Sequence, residues 1–127
     1  ALDTGIAGDT PGITPDEAQS KLGQVALALL YDGSLIPNRG LRDLVIDTAK
    51  EQGLKLQFDT IAGGGTDAGK IQYFGAGVPS ISMGVPVRYI HTHASILHRD
   101  DFEQIVELMV AVIKRLDADT VAAIKAG

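Results

Sequence analysis

The chain has no cysteine and no tryptophan, and only three tyrosines and three phenylalanines among its 127 residues. Without cysteine there is no disulfide scaffold, no thiolate zinc site and no cysteine nucleophile. A cytoplasmic setting is the weak preference that follows. Long apolar runs are also missing: none approaches the ~20 residues that cross a bilayer, so no spanning helix and no membrane partner is expected. Cations are few and scattered. Eleven Lys and Arg stand against 16 Asp and Glu, a net charge of −5, with no basic stripe interleaved with aromatics. Nucleic-acid binding, which needs that footprint, is not expected. No serine sits in a G-x-S-x-G turn, which removes the usual hydrolase nucleophile. The chain lacks an initial Met and any charged, apolar leader. It is therefore expected to open inside a larger domain, at Ala1-Leu2-Asp3.

What is present suits a folded domain, with 45% hydrophobic and 21% charged residues. Residues 1–7 read as a short strand, followed by a loop marked by Gly8, Pro11, Gly12 and Pro15. Residues 24–31 (QVALALLY) are apolar on both alternating faces, as in a central strand covered on both sides. Asn38 is a candidate N-cap for a helix burying Leu41, Leu44, Val45, Thr48 and Ala49, with Gly53 just past its end. Residues 54–61 alternate Leu54, Leu56, Phe58 and Thr60 against Lys55, Gln57 and Asp59, the pattern of a half-exposed edge strand. A glycine-rich loop leads into a short helix near 66–75, and residues 80–85 form another strand. The last helix, from Asp101 to Leu116, is expected to start in a capping box of Asp100 and Glu103. Its apolar face would be Phe102, Ile105, Met109, Ile113 and Leu116. Strands alternating with helices predict a three-layer α/β architecture.

Three places hold residues with chemical potential. In the glycine-rich segment Ala62-Gly63-Gly64-Gly65-Thr66-Asp67-Ala68-Gly69-Lys70, Gly64 to Lys70 has phosphate-loop spacing. Against a nucleotide stand Ile71, where a magnesium-binding hydroxyl belongs, and Asp67, which sets a negative charge where phosphate would lie. A tight turn and a substrate-pocket wall are the other readings. The second place is His91-Thr92-His93, with His98 nearby. On an extended segment the first two imidazoles would point the same way and suit one metal. A histidine hydrogen-bonded on the surface is the plainer alternative. The third is Asp3 and Asp9, around Gly5, Gly8 and the Pro11-Gly12 turn, where Asp commonly closes turns through its own backbone.

Together the segments Ala1–Gly12, Gly63–Gly69, Gly77-Val78-Pro79-Ser80 and Pro86-Val87-Arg88-Tyr89-Ile90-His91 resemble the glutamyl and deblocking aminopeptidases that assemble into tetrahedral dodecamers. The resemblance covers residues 1 to about 125, and the tail from Leu116 to Val121 looks closest to the glutamyl branch. It implies an αβα zinc-aminopeptidase fold, of which residues 1–127 would be the C-terminal portion of the catalytic domain, with no second domain. It also implies two divalent ions, zinc or cobalt, and peptide substrates. By position, Asp3 matches a carboxylate ligand of one ion and His91 the last imidazole ligand, on the other ion. Asp9 and Asp67 match supporting positions, and Gly64, Gly65 and Thr66 match the pocket loop.

The family's general-base Glu and remaining ligands lie upstream of the Asp3 position, so no catalytic residue is assigned within the chain. The chain alone is expected to be inactive. It is also expected to need a companion segment or self-association to cover residues 25–30. The alternatives are a non-catalytic binding or assembly fragment of that family, and a nucleotide-binding module using Gly64–Lys70.

Overall fold

In a computed structural model covering all 127 residues, the two strands at the start of the sheet order approach closely. Strand β1 (Leu2–Ile6) runs parallel to β4 (Met83–Arg88), with Asp3 opposite Gly84. A Cβ on Gly84 would lie 1.9 Å from the Asp3 carbonyl oxygen, so only glycine fits there. On the other side of β4 lies β2 (Leu27–Asp32), antiparallel through Leu27 and Ala28. Parallel to β2 at the edge runs β3 (Gln57–Ile61). The order is β1-β4-β2-β3, and the two-residue β5 (Ile96–Leu97) pairs with Val87 and Arg88 of β4. Pro86, which has no N–H to give, falls between the stretch of β4 bonded to β2 and the stretch bonded to β5.

One face of the sheet carries the main core. Met83, Val85 and Val87 meet Val45 and Ala49 of α1 (Arg39–Glu51) and Ile105, Leu108 and Val112 of α3 (Arg99–Arg115). The expected α1 is borne out in detail. Asn38 Oδ1 accepts from the Leu41 N–H at 3.0 Å, and Gly53 follows the helix at φ 68°, closing it with left-handed backbone. On the opposite face Leu27 lies over Gly5, where a Cβ would meet its Cδ2 at 2.2 Å.

Several expectations shift. Three strands begin three residues later than expected, at Leu27, Gln57 and Met83, and for residues 80–85 the observed strand also runs on three residues, as Met83–Arg88. In β3 it is Asp59 that is buried, at 4% exposure, while Phe58 stands 40% exposed. The Asp59 carboxylate accepts the backbone N–H groups of Gln19 and Ser20 and so holds the 8–25 loop to the sheet edge. A bulge between Leu29 and Tyr31 leaves Leu30 and Tyr31 half exposed, so residues 24–31 are not covered along their whole length. The short helix α2 is confined to Ala68–Ile71, and a further helix α4 (Ala118–Ala126), capped by Asp117, had no clear periodic signal.

The Asp100–Glu103 capping box is corrected. The helix starts at Arg99, and the N-cap is His98, whose Nδ1 accepts from the Asp100 N–H at 3.3 Å. Glu103 instead pairs with Arg99. The apolar face is turned in part. Of the expected residues Ile105 is buried and Met109 and Leu116 pack against the core, but Phe102 and Ile113 are exposed. Asp101, Leu108 and Val112 are buried beside Ile105.

The rotation has a cause. Asp101, buried at 1% exposure, receives the N–H groups of Gly23 and Val25 at 2.7 Å each. Val25 has φ 89°, a conformation a β-branched residue adopts only when its surroundings fix it. Asp101→Ala would leave two N–H groups without partners and is expected to destabilise the chain by about 2–4 kcal/mol in urea unfolding. Asp100→Ala, at an exposed position, should stay within about 0.5 kcal/mol.

Candidate active site

A cleft of about 540 Å³ opens where β1, the end of β3 and the segment after β4 meet. Asp3, Thr4 and Ile6 line it from β1, Thr60 and Ile61 from β3, and Gly63 to Thr66 from the following loop. Ile90 and His91 close one side, and Ile13, Asp16 and Glu17 another. The structure therefore brings Asp3 and His91, 88 positions apart (91 − 3), to one cleft together with Gly64, Gly65 and Thr66. Both candidate donors are exposed, and the only hydrogen bond to the Asp3 side chain comes from the next N–H, that of Thr4 at 2.7 Å.

The histidine segment is not extended, which corrects the reading of His91 and His93 as parallel donors. Tyr89 and His91 have φ 59° and 61°, and the chain turns sharply there. The alternating geometry that aligns residues i and i+2 is lost, and His93 does not line the cleft. His98 is occupied as the α3 cap.

Asp9 and Asp67 also stay outside the cleft. Asp9 pairs with Arg88 Nη2 and accepts the Leu22 N–H at 3.3 Å, clamping the loop after β1 to the end of β4. The hydrogen bond from Arg88 holds the Asp9 carboxyl below its ordinary value. Asp67 is exposed and precedes α2 without a side-chain cap bond.

The residue that shapes the loop, Asp32, is not among the three places singled out from the sequence. Asp32, 2% exposed, accepts the Ser34 N–H and Oγ–H on Oδ1 at 2.7 Å each. Its Oδ2 accepts the Thr66 Oγ1–H at 2.7 Å and the Thr66 N–H at 3.2 Å. Gly33 N–H donates to the Gly64 carbonyl at 2.7 Å, and Ser34 packs so tightly that a Cβ on Gly69 would sit 2.0 Å from its Oγ. Burial pushes the Asp32 carboxyl up, but the bonds from Ser34 and Thr66 outweigh it and hold the group below its ordinary value. Asp-Gly-Ser ahead of a glycine run was the available signal, as an Asx turn whose carboxylate also reaches the next loop.

Residues 1–108 match the family described as M42 glutamyl aminopeptidase. This chain belongs to that family. It is 37% identical over 125 residues to the glutamyl aminopeptidase of Lactococcus lactis subsp. cremoris, covering 98% of this chain and 34% of that protein. Among solved structures it is similar to a TET aminopeptidase from the marine sediment archaeon Thaumarchaeota archaeon SCGC AB-539-E09. The TM-score is 0.92 at 43% identity, over 97% of this chain and 34% of that one. The TET1 peptidase of Pyrococcus horikoshii, described as assembling into a tetrahedron or a large octahedral shell, gives a TM-score of 0.67 at 28% identity, over 87% of this chain and 30% of that one. The chain thus spans about one third of the length of these M42 relatives, and its α/β fold is theirs.

The depressed Asp9 and Asp32 carboxyls set a pH dependence. Both bind a proton less readily folded than unfolded, so their stabilisation is complete above the ordinary carboxylate range. It is lost as pH falls below about 4 toward their lower folded values. Urea midpoints are expected to drop between about pH 5 and pH 2, and to drop less in Asp32→Asn, which starts lower and has no such proton to gain.

Proposed function

We propose that the chain is part of the catalytic domain of a metal-dependent aminopeptidase that removes N-terminal residues from peptides. In this reading Asp3 gives a carboxylate to one divalent ion and His91 an imidazole to the other. The observation that carries it is that Asp3, His91 and the glycine-rich loop line one cleft in a chain of M42 sequence. In kind, the donors suit zinc or cobalt, which accept carboxylate oxygen and neutral imidazole nitrogen. In number, they fall short of a zinc site, which takes about four ligands. No group of three or more His, Cys, Asp or Glu side chains converges anywhere in the chain. The remaining ligands and the proton-shuttling Glu are assigned to residues outside these 127. When bound, the ions supply a polarised peptide carbonyl and a water of lowered pKa.

The chain's own residues do the positioning. Gly64, Gly65 and Thr66 form a wall on which the substrate's first side chain rests, and Asp32 fixes that wall. Asp9, through Arg88, holds the end of β4 from which Ile90 and His91 extend, and Asp67 opens α2 behind the loop. The assembly reading is a homo-oligomer of the dodecameric TET type, supported by the P. horikoshii likeness. The open side of β1 and the exposed Phe102, Val106 and Ile113 are surfaces for the rest of the catalytic domain. A cytoplasmic setting fits a cysteine-free sequence, and no helix is long and apolar enough to cross a membrane. A nucleotide site at Gly64–Lys70 loses support, because the N–H groups of Thr66, Gly69 and Lys70 already donate within the turn or to Asp32.

His91→Gly separates ligation from folding. Glycine takes left-handed backbone without strain, so stability should hold or rise by about 1 kcal/mol. In the full-length enzyme the same change should lower metal retention, measured by mass spectrometry of the desalted protein, at least about tenfold, with loss of anilide hydrolysis. The 127-residue chain alone should hydrolyse no aminoacyl anilide with added zinc or cobalt. Unchanged metal content in His91→Gly would remove the ligand assignment.

A further inference from the structure

We propose that Thr92 is a positioning residue for metal binding: its hydroxyl clasps the turn that carries His91 and so holds the imidazole toward the cleft before an ion arrives. The inference rests on the aminopeptidase reading above and adds to it a residue that is not itself a ligand. The turn joins β4 to β5, and the pairing of Val87 with Leu97 and of Arg88 with Ile96 fixes only its base. Beyond that base no backbone–backbone hydrogen bond involves residues 89–95. Two hydroxyls close the turn instead. Thr92 Oγ1 lies 2.7 Å from the Tyr89 carbonyl oxygen and 2.8 Å from that of Ala94. With one proton it donates to one of them at a time and stays within reach of both. Ser95 Oγ is a longer donor to the Tyr89 carbonyl, at 3.4 Å.

The clasp spans the residues whose backbone is unusual. Tyr89 and His91 have φ 59° and 61°, left-handed values that a side chain with a Cβ resists. A bond from Thr92 to the carbonyl three residues back closes the chain over Tyr89, Ile90 and His91, and so favours the turned form over an extended one. In the turned form His91 lines the cleft with Asp3. One hydroxyl bond in an exposed turn offsets only part of the strain at two positions, so the turned form is favoured without being locked. The apparent affinity for an ion then scales with the fraction of molecules already turned. Thr92 and the ion stabilise the same conformer, and each strengthens the other's hold. Asp3 needs no such support, because it lies within β1 and is held by the ladder to β4.

The test uses the full-length enzyme and its zinc dissociation constants, measured by competition with a chromogenic chelator. Thr92→Val keeps the shape of the side chain and removes the donor. It should weaken one of the two zinc steps about three- to tenfold, the range of one hydrogen bond. Thr92→Ser keeps the donor and should stay within about twofold of the native enzyme. Thr92 is exposed, so both variants should fold, which circular dichroism of the metal-free proteins checks. Adding Thr92→Val to His91→Gly should cause no further weakening, because no imidazole is left to position. A purely structural effect would be equally large in both backgrounds. Three results would each overturn the assignment while leaving an aminopeptidase: native zinc affinity in Thr92→Val, a Thr92→Ser loss as large as that of Thr92→Val, or an undiminished Thr92→Val effect beside His91→Gly. A native full-length enzyme that binds neither zinc nor cobalt and hydrolyses no aminoacyl anilide would remove the aminopeptidase reading itself, and this inference with it.

Discussion

Four hydrogen bonds converge on the buried carboxylate of Asp32, and the position of the glycine-rich loop follows from them. A buried carboxylate without partners is strongly unfavourable, so the sheet must deliver donors to it. Ser34 can do so from the turn that follows β2, but the second oxygen is satisfied only if Thr66 comes back from beyond β3. That requirement ties the ends of two parallel strands together, and it fixes Gly64 and Gly65 against the cleft shared by Asp3 and His91. The glycines here are a consequence of crowding: Ser34 occupies the volume a Cβ would need at Gly69 and presses on Gly65.

The same device recurs twice. Asp59 collects the N–H groups of Gln19 and Ser20, and Asp101 those of Gly23 and Val25. Each pins part of the long connection between β1 and β2, a stretch with no helix or strand to satisfy its own backbone. Three buried acids thus perform for irregular segments what hydrogen-bond ladders perform for strands. They also explain how a chain with few aromatics keeps long loops in place. The neighbours of these loops are fixed by directional bonds to charged oxygens, roughly twice as strong as neutral ones, and less by apolar bulk.

These acids are also where reading the sequence failed, for a physical reason. Periodicity assigns a polar residue to the wet side, which puts Phe58 inward and Asp59 outward, and turns α3 so that Phe102 faces the core and Asp101 faces water. Both inversions come from a carboxylate whose partners are backbone groups distant in the chain, invisible to any local window. Where the signal is local it served well. Asn38 caps α1, Gly53 ends it, and β3 lies at the edge. The histidine turn had little local mark: His tolerates left-handed backbone better than most side chains, but Tyr89 beside it does not and no glycine stands at either position. Asp3 and His91 were legible as a pair only through family resemblance, because nothing in their separate surroundings links residues 88 positions apart (91 − 3).

The strain at His91 bears on how the chemistry is divided. A left-handed conformation at a non-glycine residue persists only when something returns the energy. Within the chain, the 89–95 turn has little to offer: the Thr92 hydroxyl reaches the carbonyls of Tyr89 and Ala94, and the His91 side chain stands exposed without a protein partner. In the proposed enzyme a ligand bond from His91 is what would return it. This makes the backbone turn and the imidazole one feature. A segment that ran on extended would let residues 91 and 93 share a side, whereas the turn presents His91 to the cleft and leaves His93 off it. The fold therefore brings a single imidazole of this segment to the cleft. A wall built of glycine, threonine and isoleucine, fixed by Asp32 from behind, leaves the space in front of that imidazole open.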